Sequence, residues 1–217
     1  MDESYQRRKI LNGLICCMLF LFTLLTLVPL FLILSYVLSK GLPSINWTFF
    51  TTLPQAVGEP NGGMANSLIG TLELILIASL IGIPWGIATG IYLSEFDKAR
   101  VGSIVRFACD ILSSIPSIVI GLFVYAVVVM PMKGFSALAG GIALGILMIP
   151  TIARTSEELL KMVPTHIREA GLALGLPRWK VIVRIVLRGS LSGILTGIIL
   201  AVARVSGETA PLLFTAL

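Results

Sequence analysis

Four stretches of this chain run for twenty residues or more without a charge. Lys9 and Lys40 enclose 30 uncharged residues, Glu73 and Glu95 enclose 21, Asp110 and Lys133 enclose 22, and Lys133 and Arg154 enclose 20. A helix rising about 1.5 Å per residue crosses a hydrocarbon core of about 30 Å in roughly 20 residues. A fifth apolar stretch, from Gly189 onward, is interrupted by Arg204 and Glu208. Spans are therefore expected near 13–38, 66–93, 107–131, 135–153 and 190–212. In lipid the backbone must satisfy its own hydrogen bonds, as a helix or a closed barrel. These runs lack the two-residue alternation of barrel strands. The predicted fold class is an all-α polytopic membrane protein, a helical bundle with five visible spans.

Composition agrees. Charged residues make up 12%, where a soluble domain carries about 25%, and mean hydropathy is +0.98. A disordered chain and a cytosolic α/β enzyme are both excluded. The net charge of +5 is a matter of topology. Thirteen of the 16 Lys and Arg fall before span one, between spans two and three, or between spans four and five. Only Lys40 and Lys133 fall on the other side, and Arg204 lies within a span. The positive-inside rule then predicts a cytoplasmic N-terminus. The first run is too long for a signal-peptide core and reads as an uncleaved anchor. Five spans would leave the C-terminus outside, so a sixth helix is expected beyond Leu217. Cys16, Cys17 and Cys109 have neither disulfide-framework nor metal-site spacing.

Two regions are expected: 1–65, an anchor helix with an external loop, and 66–217, a transmembrane domain. In the loop, Gly41, Pro43, Pro54, Gly58, Pro60, Gly62 and Gly63 favour turns. Trp47, Phe49 and Phe50 are expected to order it. The basic segment of about 154–188 contains a short helix, with Thr165 as its N-cap after Pro164. Ile167, Gly171 and Leu174 share a face, and Gly175 before Leu176-Pro177 ends it. Such a helix lies on the membrane surface or docks in a partner's groove. His166 reads as a solvated loop residue.

Ionisable groups within spans cost about 2.5–3.5 kcal/mol each near the centre. Asp110 is expected to pair with Arg106, one turn away. Glu73 is open to either bundle-internal pairing or function. Arg204 lies 16 residues beyond Arg188, about 24 Å along a straight helix. Glu208 is expected one turn later on the same face. The two either neutralise each other or face a central pathway, where a guanidinium fork suits an oxyanion. Pro116, flanked by Ser113, Ser114 and Ser117, is a static kink or a hinge, and Pro84 has the same ambiguity. Gly140, Gly141, Gly145, Gly193 and Gly197 permit close helix approach.

Glu169-Ala170-Gly171, Gly175, Ile185 and Leu187 resemble the EAA loop of binding-protein-dependent ABC importers. Gly171 replaces the pattern's second Ala and Arg188 its final Pro. Gly58 to Asn66, Ile115 to Phe123 and Arg204 to Ala216 resemble the phosphate-importer (PstA-type) permeases, over about residue 41 to the end. This resemblance implies a type I ABC importer bundle in the bacterial inner membrane: a non-catalytic permease subunit of an ATP-driven phosphate importer. It implies a pathway role for Arg204 and Glu208. It likewise implies ATPase coupling by Ile167, Arg168, Glu169, Ala170, Gly171, Leu174 and Gly175; Pro116 and Ser117 are the candidate hinge on the residues alone. No Gly-rich phosphate loop followed by Lys-Ser/Thr is present, so no cofactor is expected on this chain, with Mg-ATP on the partner. The implied partners are a second permease (PstC-type), two ATPase subunits (PstB-type) and an external phosphate-binding protein (PstS-type). A permease for sulfate or molybdate, or an ion-gradient-driven carrier or channel, is the alternative.

Overall fold

The computed structural model describes residues 3–56, 62–96 and 100–216, and the chain divides into two units, Met1–Asn66 and Ser67–Leu217. Every regular element among the described residues is helical. In the first unit, α1 spans Glu3–Gly41. It is apolar on all sides from Ile10 to Ser39, the pattern of a helix solvated by lipid. A 3₁₀ turn at Leu42–Ser44 precedes the short helix α2, Trp47–Thr51. The Asn46 side chain caps α2 by accepting the Phe49 N–H at 2.8 Å. Phe49 and Phe50 meet edge to face at 5.4 Å, whereas Trp47, also expected to order this segment, is exposed. Gly58 to Asn61 of the first permease-like motif, and the basic residue Lys98, lie outside the described residues.

The second unit is built around one helix. α3 (Ala65–Glu95) is continuous through Pro84. α4 (Arg100–Ser114) and α5 (Ser117–Val124) follow, then a π-helical turn at Tyr125–Val129 and α6 (Met130–Met132). α7 (Ala137–Lys161) is the central element. Ser136 caps it by accepting the Ala139 N–H at 3.2 Å. Glycines let α3 lie directly on α7. A Cβ at Gly82, Gly86 or Gly90 would stand 2.7, 2.7 and 2.5 Å from the Cβ of Met148, Ile152 and Ser156. The residues at i, i+4 and i+8 of one helix thus meet those of the other. Gly140 and Gly145 return the approach toward Leu74 and Ile81. On another side of α7, Gly193 and Gly197 of α11 (Leu191–Ser206) accept Leu159 and Thr155. Ala78, Leu144, Met148, Ile152, Ala201 and Val205 form the core where α3, α7 and α11 converge.

Three helices, α1, α3 and α7, are long and apolar enough to cross a membrane unbroken. Two further crossings come only from bent pairs. α4 and the segment Ser117–Met132 meet at 102°, and the helical stretch Arg178–Gly189 meets α11 at 70°. The expected single span at 107–131 is thus two helices, broken at Ile115-Pro116. Pro116 offers no N–H to the preceding turn, and Ser114 Oγ donates to the Asp110 carbonyl at 2.7 Å. The fourth span continues to Lys161, well past the expected end at 153, because Glu157 finds partners for its charge. The fifth ends at Ser206, with Gly207 as C-cap, rather than at 212.

Between α7 and α11 stand α8 (Thr165–Ala173), α9 (Arg178–Val181), a π-helical turn at Ile182–Val186 and α10 (Leu187–Gly189). The N-cap of α8 is Pro164, not Thr165, and no side chain caps it. Its C-terminus closes as a Schellman motif. Leu176 N–H donates to Gly171 O at 3.3 Å and Gly175 N–H to Leu172 O at 2.9 Å. Gly175 sits at φ +78°, a conformation that disfavours a side chain. The 70° bend into α11 is made at Ser190, whose N–H reaches Val186 O at 3.1 Å. Arg188, where the family pattern has Pro, stays helical.

Candidate functional site

The break in the α4–α5 pair opens a cavity of about 190 Å³. It is lined by Ser113, Pro116 and Ser117 from the break, Thr151 from α7, and Arg204 and Glu208. Arg204 occupies the last turn of α11. Because the helix bends at Ser190, it stands 13 residues, about 20 Å, along α11, not 24 Å along a straight rod. Glu208 lies beyond the C-cap in the turn leading to Pro211, so the expected same-helix i,i+4 relation does not form. Neither side chain makes an ion pair or hydrogen bond with a described residue. The hydroxyls of Ser113, Ser117 and Thr151 are likewise uncommitted among the described residues. Gly121 of α5 holds this corner closed: a Cβ there would stand 2.6 Å from Pro211 Cα. Arg204 is exposed at the chain surface and Glu208 half-buried. The cavity therefore presents a cation, a carboxylate and three hydroxyls to whatever occupies it.

Several other charges of this unit are spent on each other. Glu157, 3% exposed, accepts from Arg106 Nε at 2.6 Å, Lys161 Nζ at 2.6 Å and Arg154 at 3.3 Å. Asp110 pairs with Arg154 at 2.6 Å, not with Arg106 as expected. Arg106 instead turns across to Glu157 and donates to the Leu93 carbonyl at 3.2 Å. The sequence reading missed Glu157, having treated 154 onward as loop. Its spacing to Arg154 (i−3) and Lys161 (i+4) was the available signal. Glu73 is exposed on α3 and unpaired among the described residues.

The residues expected to couple to an ATPase divide between two faces of α8. Gly171 is buried: a Cβ would stand 2.9 Å from Ile185 Cδ1 and 3.0 Å from Val181 Cγ2. Leu174 is 82% exposed and Ile167 38%, so the three do not form one buried face. Glu169 and Ala170 are exposed, as is His166. Arg168 faces inward, to Glu95 at 2.9 Å, Leu160 O at 2.6 Å and Val163 O.

The sequence profile of the binding-protein-dependent transport system inner membrane component family matches residues 82–217. The phosphate transport system permease protein PstA of Yersinia pestis is 50% identical over 186 residues, 85% of this chain and 63% of its own length. This chain thus spans under two thirds of that relative. The PstA of Pasteurella multocida is 44% identical over 217 residues, covering 100% of this chain and 77% of that protein. Inward-facing MetNI methionine ABC transporter structures share the fold, with a TM-score of 0.59, 22% identity, and 69% and 71% of the two chains covered. A chain with these matches, at least three membrane-length helices and an EAA-type helix belongs to the binding-protein-dependent transport system inner membrane component family.

Proposed function

We propose that this chain is the permease subunit of an ATP-driven phosphate importer, supplying half of the translocation pathway. The observation that carries the reading is the contrast in charge. Asp110, Glu157 and Glu95 hold Arg106, Arg154, Lys161 and Arg168 in ion pairs, while Arg204 and Glu208, uncommitted among the described residues, line a polar cavity at a broken span. An unpaired guanidinium in an apolar span is costly; an oxyanion held by its planar fork would offset that cost. Relatives at 50% and 44% identity are named phosphate permeases, which favours phosphate over sulfate or molybdate. Because Arg204 lies at the chain surface, a second permease closes the other side of the pathway. ATP with Mg is hydrolysed on two partner ATPase subunits that receive α8 through Glu169, Ala170, Leu174 and neighbouring residues. An external phosphate-binding protein delivers the anion. The break at Pro116 and Ser117 is the hinge that lets the cavity face each side in turn. The N-terminus and α8 lie in the cytoplasm.

The test is phosphate uptake by cells carrying the full set of subunits. Arg204→Gln is expected to lower uptake at least tenfold while the ATPase still copurifies with the chain. Arg204→Lys keeps the charge but not the fork, and is expected to retain only part of the activity. Normal uptake by Arg204→Gln would sink the pathway role. Uptake inhibited equally by sulfate would reassign the substrate.

A further inference from the structure

The last turn of α3 is gripped from three directions. Arg106 of α4 donates to the Leu93 carbonyl at 3.2 Å. Arg168 of α8 meets the Glu95 carboxylate through Nε at 3.0 Å and Nη2 at 2.9 Å, a bidentate approach to one oxygen. Arg178 of α9 donates to the Glu95 carbonyl and lies over the Phe96 ring, 4.8 Å from its centroid. Glu95 is 7% exposed and Arg168 18%. Arg168 also ties down the end of α7 and the turn after it, through Leu160 O and Val163 O. Its five donors are thus shared between α3 and α7, a role that a single-point ammonium does not fill. The outer face of α8, with Glu169 and Leu174, contributes nothing to this junction.

From this geometry we infer that Glu95 is the positioning residue through which α8 moves the membrane helices. A push on the outer face of α8 reaches α3 through the Arg168–Glu95 pair. From α3 it reaches α4 through Leu93 and Arg106, which Glu157 holds from the other side at 2.6 Å. Eight residues separate Arg106 from the end of α4 at Ser114, about 12 Å of uninterrupted helix. α4 is therefore a rigid lever between the α8 junction and the break that lines the Arg204 cavity. Such a path carries coupling only where an element has two arrangements, and the hinge proposed above at the 102° break is that element. The inference rests on the permease reading for its driving force, since a partner must push α8.

Glu95→Gln keeps the side-chain shape and removes the charge. In the complete complex reconstituted in vesicles, it is expected to assemble and hydrolyse ATP. Phosphate carried per ATP should fall at least tenfold. Glu95→Asp, which keeps the negative charge, should recover the phosphate-to-ATP ratio to within about threefold of the unaltered complex, where Glu95→Gln does not. Glu95→Gln with an unchanged phosphate-to-ATP ratio would overturn the inference. Parallel loss of assembly and hydrolysis would overturn it too, reducing Glu95 to a fold contact, and so would a Glu95→Asp complex no better coupled than Glu95→Gln. If the unaltered chain failed to assemble with an ATPase at all, the permease reading itself would fall, which separates the two failures.

Discussion

Glu157 and Asp110 are the two carboxylates nearest Arg154, yet they differ in what they contribute. Glu157 is 3% exposed and collects three cations, whereas Asp110 is 55% exposed and holds one. Removing one member of a buried ionic group leaves the others without compensation. An exposed pair is worth at most about 1 kcal/mol. Glu157→Gln is therefore expected to destabilise the purified protein by about 2–4 kcal/mol, read as a lower unfolding midpoint in detergent. Asp110→Asn should move the midpoint much less, and equal shifts would count against this ranking. At this scale Arg204 was legible because low charge content leaves a lone arginine in an apolar run conspicuous. Its relation to Glu208 was not. That depends on where α11 ends, and Gly207 ends it one residue too early for a shared face. The Asp110 partner was illegible for a related reason: Arg106 and Arg154 compete for it, and local spacing cannot see α7.

Among the elements, the pairing of α3 with α7 rests on glycines of each helix receiving side chains of the other. Lipid gives no hydrophobic incentive for helices to associate, so close backbone approach and dispersion do the work. At Gly90 the space is filled by backbone as well as side chain, with Ala153 O 2.9 Å and Glu157 N 3.2 Å from the position of an added Cβ. Those atoms cannot swing aside. Gly90→Val is expected to cost about 1–3 kcal/mol by overpacking and to lower the yield of folded protein. Gly70, on the same helix, has no heavy atom within 4 Å of an added Cβ, so Gly70→Val serves as the control. Similar yields for the two would refute the packing account. The glycines of α7 and α11 were readable as approach sites. Gly82, Gly86 and Gly90 of α3 were equally visible at four-residue spacing, but were absorbed into a long apolar run.

For the whole molecule, the sequence reading yields five hydrophobic segments, but not where the fourth and fifth end, nor that two of the five are bent. The free energy of a 102° break is set by tertiary packing, Gly121 against Pro211 and Val124 against Ala143, which one-dimensional hydropathy does not contain. The bend matters for topology. If Arg100–Met132 crosses once, residues 5 and 174 are separated by four crossings and share a side, while residue 134 faces the other. If instead that pair enters and returns on one side, residues 5 and 134 share a side and residue 174 lies opposite. The excess of Lys and Arg around α8 favours the first arrangement. Single cysteines at Tyr5, Gly134 and Leu174, in a background with Cys16, Cys17 and Cys109 replaced by Ser or Ala, distinguish the two. A membrane-impermeant thiol reagent applied to intact cells, after permeabilising any outer envelope, is expected to label Gly134→Cys alone. Inverted vesicles should label Tyr5→Cys and Leu174→Cys. Labelling of Leu174→Cys from outside would make the pair re-entrant and place α8 out of reach of a cytoplasmic ATPase.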